Sequence, residues 1–158
     1  MSRRSFFRYF SSKSDLMSQR TAVKFETVLA EAMKTCPSTY SLSELLKYTV
    51  QELSREAANP RTRKIMEVAA KYPAAREALS RIAGEQETIA AAFALRCGKG
   101  NKARIAANLL AGLTLVIQGA IVHAWCENPA QSIDGINEQV FAMVKTLTCE
   151  AAPTLRGR

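Results

Sequence analysis

The chain has 158 residues, and its 22 Lys and Arg against 14 Asp and Glu give a net charge of +8 at pH 7. This length fits one domain with a sizeable core, or one domain with a fragment of another. Seven Gly, five Pro and short β-branched runs favour an all-helical fold. The basic, aromatic N-terminus is unlike a secretory signal peptide, so we expect a protein of the cytoplasm.

The cysteine and histidine residues give no support to a metal or redox site. The four cysteines stand far apart, no Cys-x-x-Cys occurs, and the chain has one histidine. Zinc sites and redox pairs usually have two of their ligands within a few residues of each other. We therefore expect no metal ion or other cofactor, and we expect reduced, buried thiols at Cys36, Cys97, Cys126 and Cys149.

A basic and aromatic helix is predicted at the start of the chain. Phe6, Phe7 and Phe10 recur at i, i+1 and i+4, so they share one side of a helix. The other sides carry Arg3, Arg4, Arg8 and Tyr9. Residues 1–24 contain six basic residues and one acidic residue, which is five of the eight net positive charges. This excess suits phosphate neutralisation on DNA, whereas a merely solvated helix face would not explain the interleaved aromatic residues.

The same segment resembles the recognition helix and following turn of TetR-family (AcrR-like) transcriptional regulators, which are dimeric bacterial repressors. The resemblance lies in the run Arg-Arg-Ser-Phe-Phe-Arg-Tyr-Phe, a two-residue turn, Lys13, and Asp15-Leu16 opening the next helix. It implies a truncated helix-turn-helix remnant over residues 1–17 and a C-terminal effector-binding and dimerisation domain over 18–158. In that family two helices precede the recognition helix, so we expect the reading frame to continue upstream, unless the truncation is real.

The resemblance also implies which side chains meet DNA. Three arginines fall where the family reads base edges, and serine, tyrosine and lysine fall where it grips phosphates. Arginine can contact guanine O6 and N7 bidentately, whereas phosphate contacts fix the register without reading the sequence. The predicted DNA-binding set is Ser2, Arg3, Arg4, Ser5, Arg8, Tyr9 and Lys13.

Caps, prolines and apolar stripes predict the following helices. One runs from about Asp15 to about Cys36 and is ended by Pro37. The next begins at a Ser41–Glu44 capping-box pattern and runs to about residue 57.

Four more helices are predicted from residue 59 onwards. A third helix starts at Asn59-Pro60 and ends near Tyr72, and a fourth runs from Pro73 to Gly98-Lys99-Gly100. Asn101 is expected to cap a fifth helix over about 102–126, and Asn128-Pro129 to begin the last.

The fifth helix has 22 successive residues without a formal charge, from Ile105 to Cys126. That length could span a bilayer, but Asn108, Gln118, His123 and two glycines argue for a buried helix and no membrane. A soluble helix that is apolar nearly all round must be covered on more than one side. The resemblance implies a homodimer paired through the last two helices, with interface residues Leu113, Ile117, Ile121, Trp125, Val140 and Val144.

The resemblance also implies a cavity that binds a small-molecule effector. Aromatic and methionine side chains suited to line it are Tyr48, Met66, Tyr72 and Phe93, and plain core packing is the alternative for each. His123 is expected to be packed or capping. No nucleophile, metal cluster or phosphate loop suggests an enzyme.

Two functions follow as expectations. The first is a DNA-binding transcriptional regulator that binds a palindromic double-stranded operator as a dimer and is released by a small-molecule effector. The alternative is a helical dimerisation or small-molecule-binding module that no longer binds DNA specifically, because its helix-turn-helix is incomplete.

Overall fold

The computed structural model describes residues 25–72, 86–128 and 130–150. Every regular element within these ranges is an α-helix, which confirms the predicted all-helical fold. In chain order they are α1 (25–35), α2 (Leu42–Ala57), α3 (Pro60–Lys71), α4 (Gln86–Cys97), α5 (Asn101–Glu127) and α6 (Ile133–Glu150). The predicted recognition helix and the predicted start of a helix at Pro73 lie outside the described residues.

The predicted junction between α1 and α2 is confirmed. The helical residues of α1 end just before Cys36 and Pro37, because proline has no N–H to continue the ladder. Ser41 then caps α2 in a complete capping box, in which the Glu44 N–H and the Ser41 N–H are each satisfied by the other residue's side chain. The chain therefore reverses within a few residues.

The predicted cap of α5 is wrong. The N-cap is Gly100, with φ 99° and ψ 177°, and Asn101 is already the first helical residue. The Asn101 side chain accepts a hydrogen bond from Arg104 Nη2 at 2.9 Å instead of capping the backbone. Only glycine adopts this backbone conformation without strain, so the tight turn decides where α5 begins.

The predicted start of α6 is also wrong. The chain turns through Asn128, whose carbonyl accepts from the Gln131 N–H at 3.1 Å, and α6 begins only at Ile133. The Ser132 hydroxyl accepts a hydrogen bond from the Gly135 N–H at 3.1 Å, as an N-cap side chain does. Serine therefore starts this helix, and the Asn-Pro pair belongs to the loop.

The core is organised around α5, which contacts α2, α3, α4 and α6. The largest described side chains that are fully withdrawn from solvent come from α1, α2, α4, α5 and α6. They are Leu29, Leu45, Val50, Ile89, Phe93, Ile121 and Ile136. Each large apolar side chain buried in this way stabilises the fold by about 1.5–3 kcal/mol before entropy is counted. The central position of α5 explains its apolar sequence on one side but not on the other.

Candidate functional site

An exposed apolar stripe runs along α5 on the side opposite to the core. It consists of Ile105, Leu109, Leu113 and Val116, of which Val116 exposes 71% of its surface. Spacings of four and three residues place them on one face over about 16 Å of helix. α5 is thus apolar on two opposite sides, and the described residues of the chain cover only one of them.

Two large apolar side chains of α6 extend this surface. Met143 and Leu147 are 66% and 70% exposed. α6 follows α5 after a short loop and packs against it, so the two helices form a hairpin. Met143 lies about 15 Å along α6 from the first residue of that helix. We call Ile105, Leu109, Leu113, Val116, Met143 and Leu147 the outer face.

The charges at the two ends of α5 oppose its helix dipole. The first turn has no acidic residue and the last turn no basic one. Lys102 and Arg104 lie near the positive N-terminus, and Glu127 lies at the negative C-terminus, where its carboxylate is 3.6 Å from His123 Nδ1. Each placement is unfavourable for the helix alone. By helical spacing, Lys102 and Glu127 lie on the same side as the outer face.

The structure divides the predicted interface residues into two groups. Ile117, Ile121 and Trp125 lie in the core of a single chain, so they are not surface residues that a partner could contact. Trp125 packs under the guanidinium of Arg63 from α3, 5.3 Å from the ring centre. Of the remaining three, Leu113 belongs to the outer face, and Val140 and Val144 are half-buried against the core.

This division corrects the sequence analysis for a physical reason. The apolar residues of α5 surround the helix, so periodicity alone cannot tell which side faces its own core. Position in the fold decides it: the side that bears Ile117 and Ile121 faces the core, and the side that bears Leu109 faces solvent. Ile105, Leu109 and Val116 are outer-face residues that the sequence analysis missed.

The predicted effector residues do not gather around one described site. Phe93 is fully buried in the core, and Tyr48 packs at its edge with its hydroxyl 2.9 Å from Thr35 Oγ1. Tyr72 is 61% exposed just after α3, so it lies on the surface rather than lining an internal cavity. The Met66 side chain lies outside the described residues. Phe93 is therefore a core residue, the alternative to an effector-lining role, and Tyr48 is partly so.

A polar seam joins α2 to α6 away from the outer face. Lys47 Nζ lies 3.0 Å from the Glu138 carboxylate, and Arg55 Nε lies 3.3 Å from Asp134 Oδ1. Lys47 also lies over the ring of Phe141, 5.9 Å from its centre. Exposed ion pairs of this kind stabilise a protein only slightly, by at most about 1 kcal/mol each. Their order along the two helices shows that α2 and α6 are antiparallel.

Between the two ion pairs, three polar side chains meet in the interior. Ser54 and Asn137 are fully buried, and the Ser54 Oγ lies 3.3 Å from Asn137 Oδ1 and 3.0 Å from Gln118 Oε1. These residues come from α2, α6 and α5. Asn137 Nδ2 donates to the Ile133 carbonyl at 2.8 Å, which fixes the orientation of that amide. The contact of three helices is thus polar at its centre.

Arg96 connects the end of α4 to the end of α1. Its Nη1 atom donates to the carbonyls of Met33 at 3.3 Å and Cys36 at 3.0 Å, and its Nη2 atom donates to that of Pro37 at 2.7 Å. The last carbonyls of a helix have no partner within the helix, so a guanidinium satisfies them well. Sequence alone gave no signal for this contact, because the partners are about 60 residues apart.

The candidate reactive groups of the described ranges are thiols and possible metal ligands. Burial raises the pKa of the Cys97 thiol, which keeps it protonated, and Cys36 and Cys97 are both free thiols. Within the same ranges, no cluster of three or more His, Cys, Asp or Glu side chains could hold a metal ion. The predicted DNA-binding residues from Ser2 to Lys13 lie outside the described residues.

α5 has the length and composition of a membrane span. The segment Asn101–Trp125 has a mean hydropathy of 2.0 in its most apolar window, of which 33% is buried. The core helix of a soluble protein can have the same length and hydropathy, so this helix by itself does not locate the protein. A comparison of the chain with protein-family models, with curated proteins and with solved structures finds no significant match.

Proposed function

We propose that this chain belongs to a cytoplasmic, dimeric transcriptional regulator that binds a palindromic DNA operator and is released by a small-molecule effector. The observation that carries the proposal is the outer face of α5 and α6. A palindromic operator is read by a twofold dimer, and a twofold dimer needs a self-complementary surface. The basic, aromatic segment over residues 2–17 supplies the DNA-contacting residues in this proposal.

A second copy of the chain is the occupant proposed for the outer face. Six large apolar side chains are exposed on these two neighbouring helices, and an exposed apolar surface of this kind is typical of a protein interface. In a twofold pair, the α5 and α6 helices of both copies would form a four-helix arrangement with the outer faces inside.

The charges of α5 favour an antiparallel pairing. A twofold axis that crosses α5 between Leu113 and Val116 is equidistant from Lys102 and Glu127 along the helix. Lys102 of one copy would then lie beside Glu127 of the other, and each α5 N-terminus would meet an acidic side chain. The charges that oppose the dipole within one chain would be compensated by the partner.

The proposal is tested by selecting DNA from a library of random duplexes with the purified chain. Enrichment of a near-palindromic sequence supports the regulator, since two identical reading heads select two inverted half-sites. In that case Arg4→Ala should relax one base preference at a cost of about 1–3 kcal/mol, and Lys13→Ala should weaken binding to all sequences alike.

The alternative function is a dimerisation module without specific DNA binding. It predicts a dimer that selects no sequence and binds DNA only weakly, with an affinity that falls steeply as salt rises, because only the charges of the basic segment act. If the protein is dimeric but enriches no DNA sequence and does not bind DNA even at low salt, the proposal of a transcriptional regulator is contradicted.

A further inference from the structure

The meeting point of Ser54, Gln118 and Asn137 poses a problem of hydrogen-bond donors. The Ser54 hydroxyl has one hydrogen, yet three acceptor oxygens surround it: the Val50 carbonyl at 2.7 Å, Gln118 Oε1 at 3.0 Å and Asn137 Oδ1 at 3.3 Å. A hydroxyl can donate once and accept twice. With the amides in these orientations, two of the three oxygens would face Ser54 without receiving its hydrogen.

Rotation of the Gln118 side-chain amide removes this shortage of donors. The orientation of Asn137 is fixed, because its Nδ2 donates to the Ile133 carbonyl. The Val50 carbonyl is also the acceptor of the α2 backbone ladder. Turning the Gln118 amide by half a turn brings Nε2 to the position of Oε1, where it donates to Ser54 Oγ. The Ser54 hydrogen is then free for Asn137 Oδ1, and the Asn137 amide donates onward to α6.

We infer that Gln118, Ser54 and Asn137 form one directional hydrogen-bond chain from α5 through α2 to α6, and that this chain positions α6. If α6 rotates or slides, Ser54 Oγ keeps the Val50 carbonyl and Asn137 Nδ2 keeps the Ile133 carbonyl, but the fully buried Asn137 Oδ1 loses Ser54. A buried acceptor without a partner is strongly disfavoured. Apolar contacts around them tolerate such slips far better, because they are not directional. These hydrogen bonds therefore select one rotation of α6 about its axis.

The rotation of α6 has a consequence at the surface. Asn137 lies on the inner side of α6, and Met143 and Leu147 follow on the exposed side one and a half to three turns later. A helix held at Asn137 therefore displays these two side chains beside the α5 stripe. This last step rests on the proposed dimer, whereas the hydrogen-bond chain itself does not.

Amide hydrogen exchange tests the positioning role with a matched control. Ser54→Ala removes the central hydroxyl of the chain. Thr49→Val removes another fully buried α2 hydroxyl, whose bond to the Leu45 carbonyl at 2.8 Å stays within the helix. We expect Ser54→Ala to speed exchange in α6, relative to α1, by at least about tenfold, and Thr49→Val to leave that ratio within about twofold. Equal effects of the two variants would overturn the inference.

Substitutions of Gln118 test the direction of the hydrogen bonds, that is, whether Gln118 donates to Ser54. Gln118→Glu presents only acceptor oxygens when ionised, whereas Gln118→Met has neither a donor nor a strong acceptor. If Gln118 donates to Ser54, both variants should speed α6 exchange. Wild-type exchange in Gln118→Glu would contradict the direction that we infer.

Sedimentation of the same variants separates this inference from the proposed dimer. Ser54→Ala should weaken dimerisation by at least about tenfold, and Thr49→Val should not change it. A wild-type chain that is monomeric would contradict the proposed interface, while the exchange experiment would still decide whether the hydrogen-bond chain positions α6. A dimer unaffected by Ser54→Ala, with faster α6 exchange, would contradict only the link between α6 rotation and the outer face.

Discussion

At the scale of single residues, the junction between α1 and α2 depends on a few hydrogen bonds to the backbone. Arg96 donates to the Met33 carbonyl in the last turn of α1 and to the Cys36 and Pro37 carbonyls just after it. The Ser41–Glu44 pair satisfies N–H groups at the start of α2. Both interactions act on groups that a helix cannot satisfy by itself. They explain why the reversal of the chain between α1 and α2, which contains Pro37 and Ser41, has a well-defined backbone.

The capping box makes the stability of α2 depend on pH. The Ser41 hydroxyl, and after it the Ser41 backbone N–H, holds the pKa of Glu44 below its ordinary value, because both donate to the ionised carboxylate. A lowered folded-state pKa adds stability above the unfolded pKa, and that stability is lost as the pH falls through the folded pKa. We therefore expect wild type to be more stable than Glu44→Gln at neutral pH, with a gap that narrows below about pH 4.

Two measurements check this prediction. Urea unfolding of wild type and Glu44→Gln between neutral and acidic pH gives the gap, and NMR titration of the Glu44 carboxyl gives its pKa. In Ser41→Ala that pKa should move back towards the ordinary value, since the larger of the two hydrogen bonds is gone. A gap that stays constant with pH would rule out the capping carboxylate as its source.

At the scale of elements, Gly100 at the N-cap of α5 and Gly119 inside the helix have opposite roles. Gly100 has a φ of +99° at the N-cap, where a Cβ would be strained although no atom lies within 4 Å of it. Gly119 lies inside the helix with ordinary backbone angles, and a Cβ there also meets open space. One glycine is required by backbone conformation, and the other only weakens the helix.

The pair gives a prediction in which the two substitutions have opposite signs. Gly100→Ala should lower the free energy of unfolding by about 1–3 kcal/mol, because it forces alanine into a region that only glycine populates freely. Gly119→Ala should raise it by about 0.5–1 kcal/mol, because alanine is the better helix former. Denaturant unfolding of both variants checks this. A destabilised Gly119→Ala would indicate that residue 119 is approached closely by another chain.

At the scale of the whole molecule, the central question is what covers the outer face. Leu113→Arg places a charge in the middle of the α5 stripe, and we expect a shift from dimer to monomer with the helical content retained. Leu95→Arg is the matched control, since Leu95 is 81% exposed on α4 and does not belong to the outer face. Sedimentation and circular dichroism of both variants give the result. Monomeric wild type, or equal effects of the two arginines, would contradict the proposed dimer.

A charge exchange tests the orientation of the pair. Glu127→Lys should weaken an antiparallel dimer, because it places two lysines side by side, and Lys102→Glu with Glu127→Lys should restore it. The effect should shrink at high salt, where exposed charges are screened. If the double variant does not regain dimerisation while Leu113→Arg is monomeric, the outer face remains the proposed interface but the antiparallel pairing of the two α5 helices is excluded.

The sequence by itself determined the helices. Ser41 and Glu44, Pro37, Pro60 and the Gly98–Gly100 turn are local signals, since caps and prolines act on the backbone within one helical turn. They therefore predicted most of the described boundaries of α1 to α5 to within one or two residues. The error at Asn101 arose between two adjacent residues, of which Gly100 is the cap. The error at Asn128 arose because the chain holds a second possible cap, Ser132, four residues later.

Only the tertiary structure decided which side of α5 is core and which is surface. Ile117 and Leu113 are equally apolar in sequence, yet one is buried in its own chain and the other is 45% exposed. The carbonyl partners of Arg96, and the meeting of Ser54 with Gln118 and Asn137, likewise join residues about 60 to 80 positions apart. Such contacts depend on how the helices pack, and a local pattern carries no information about which distant helix will be its neighbour.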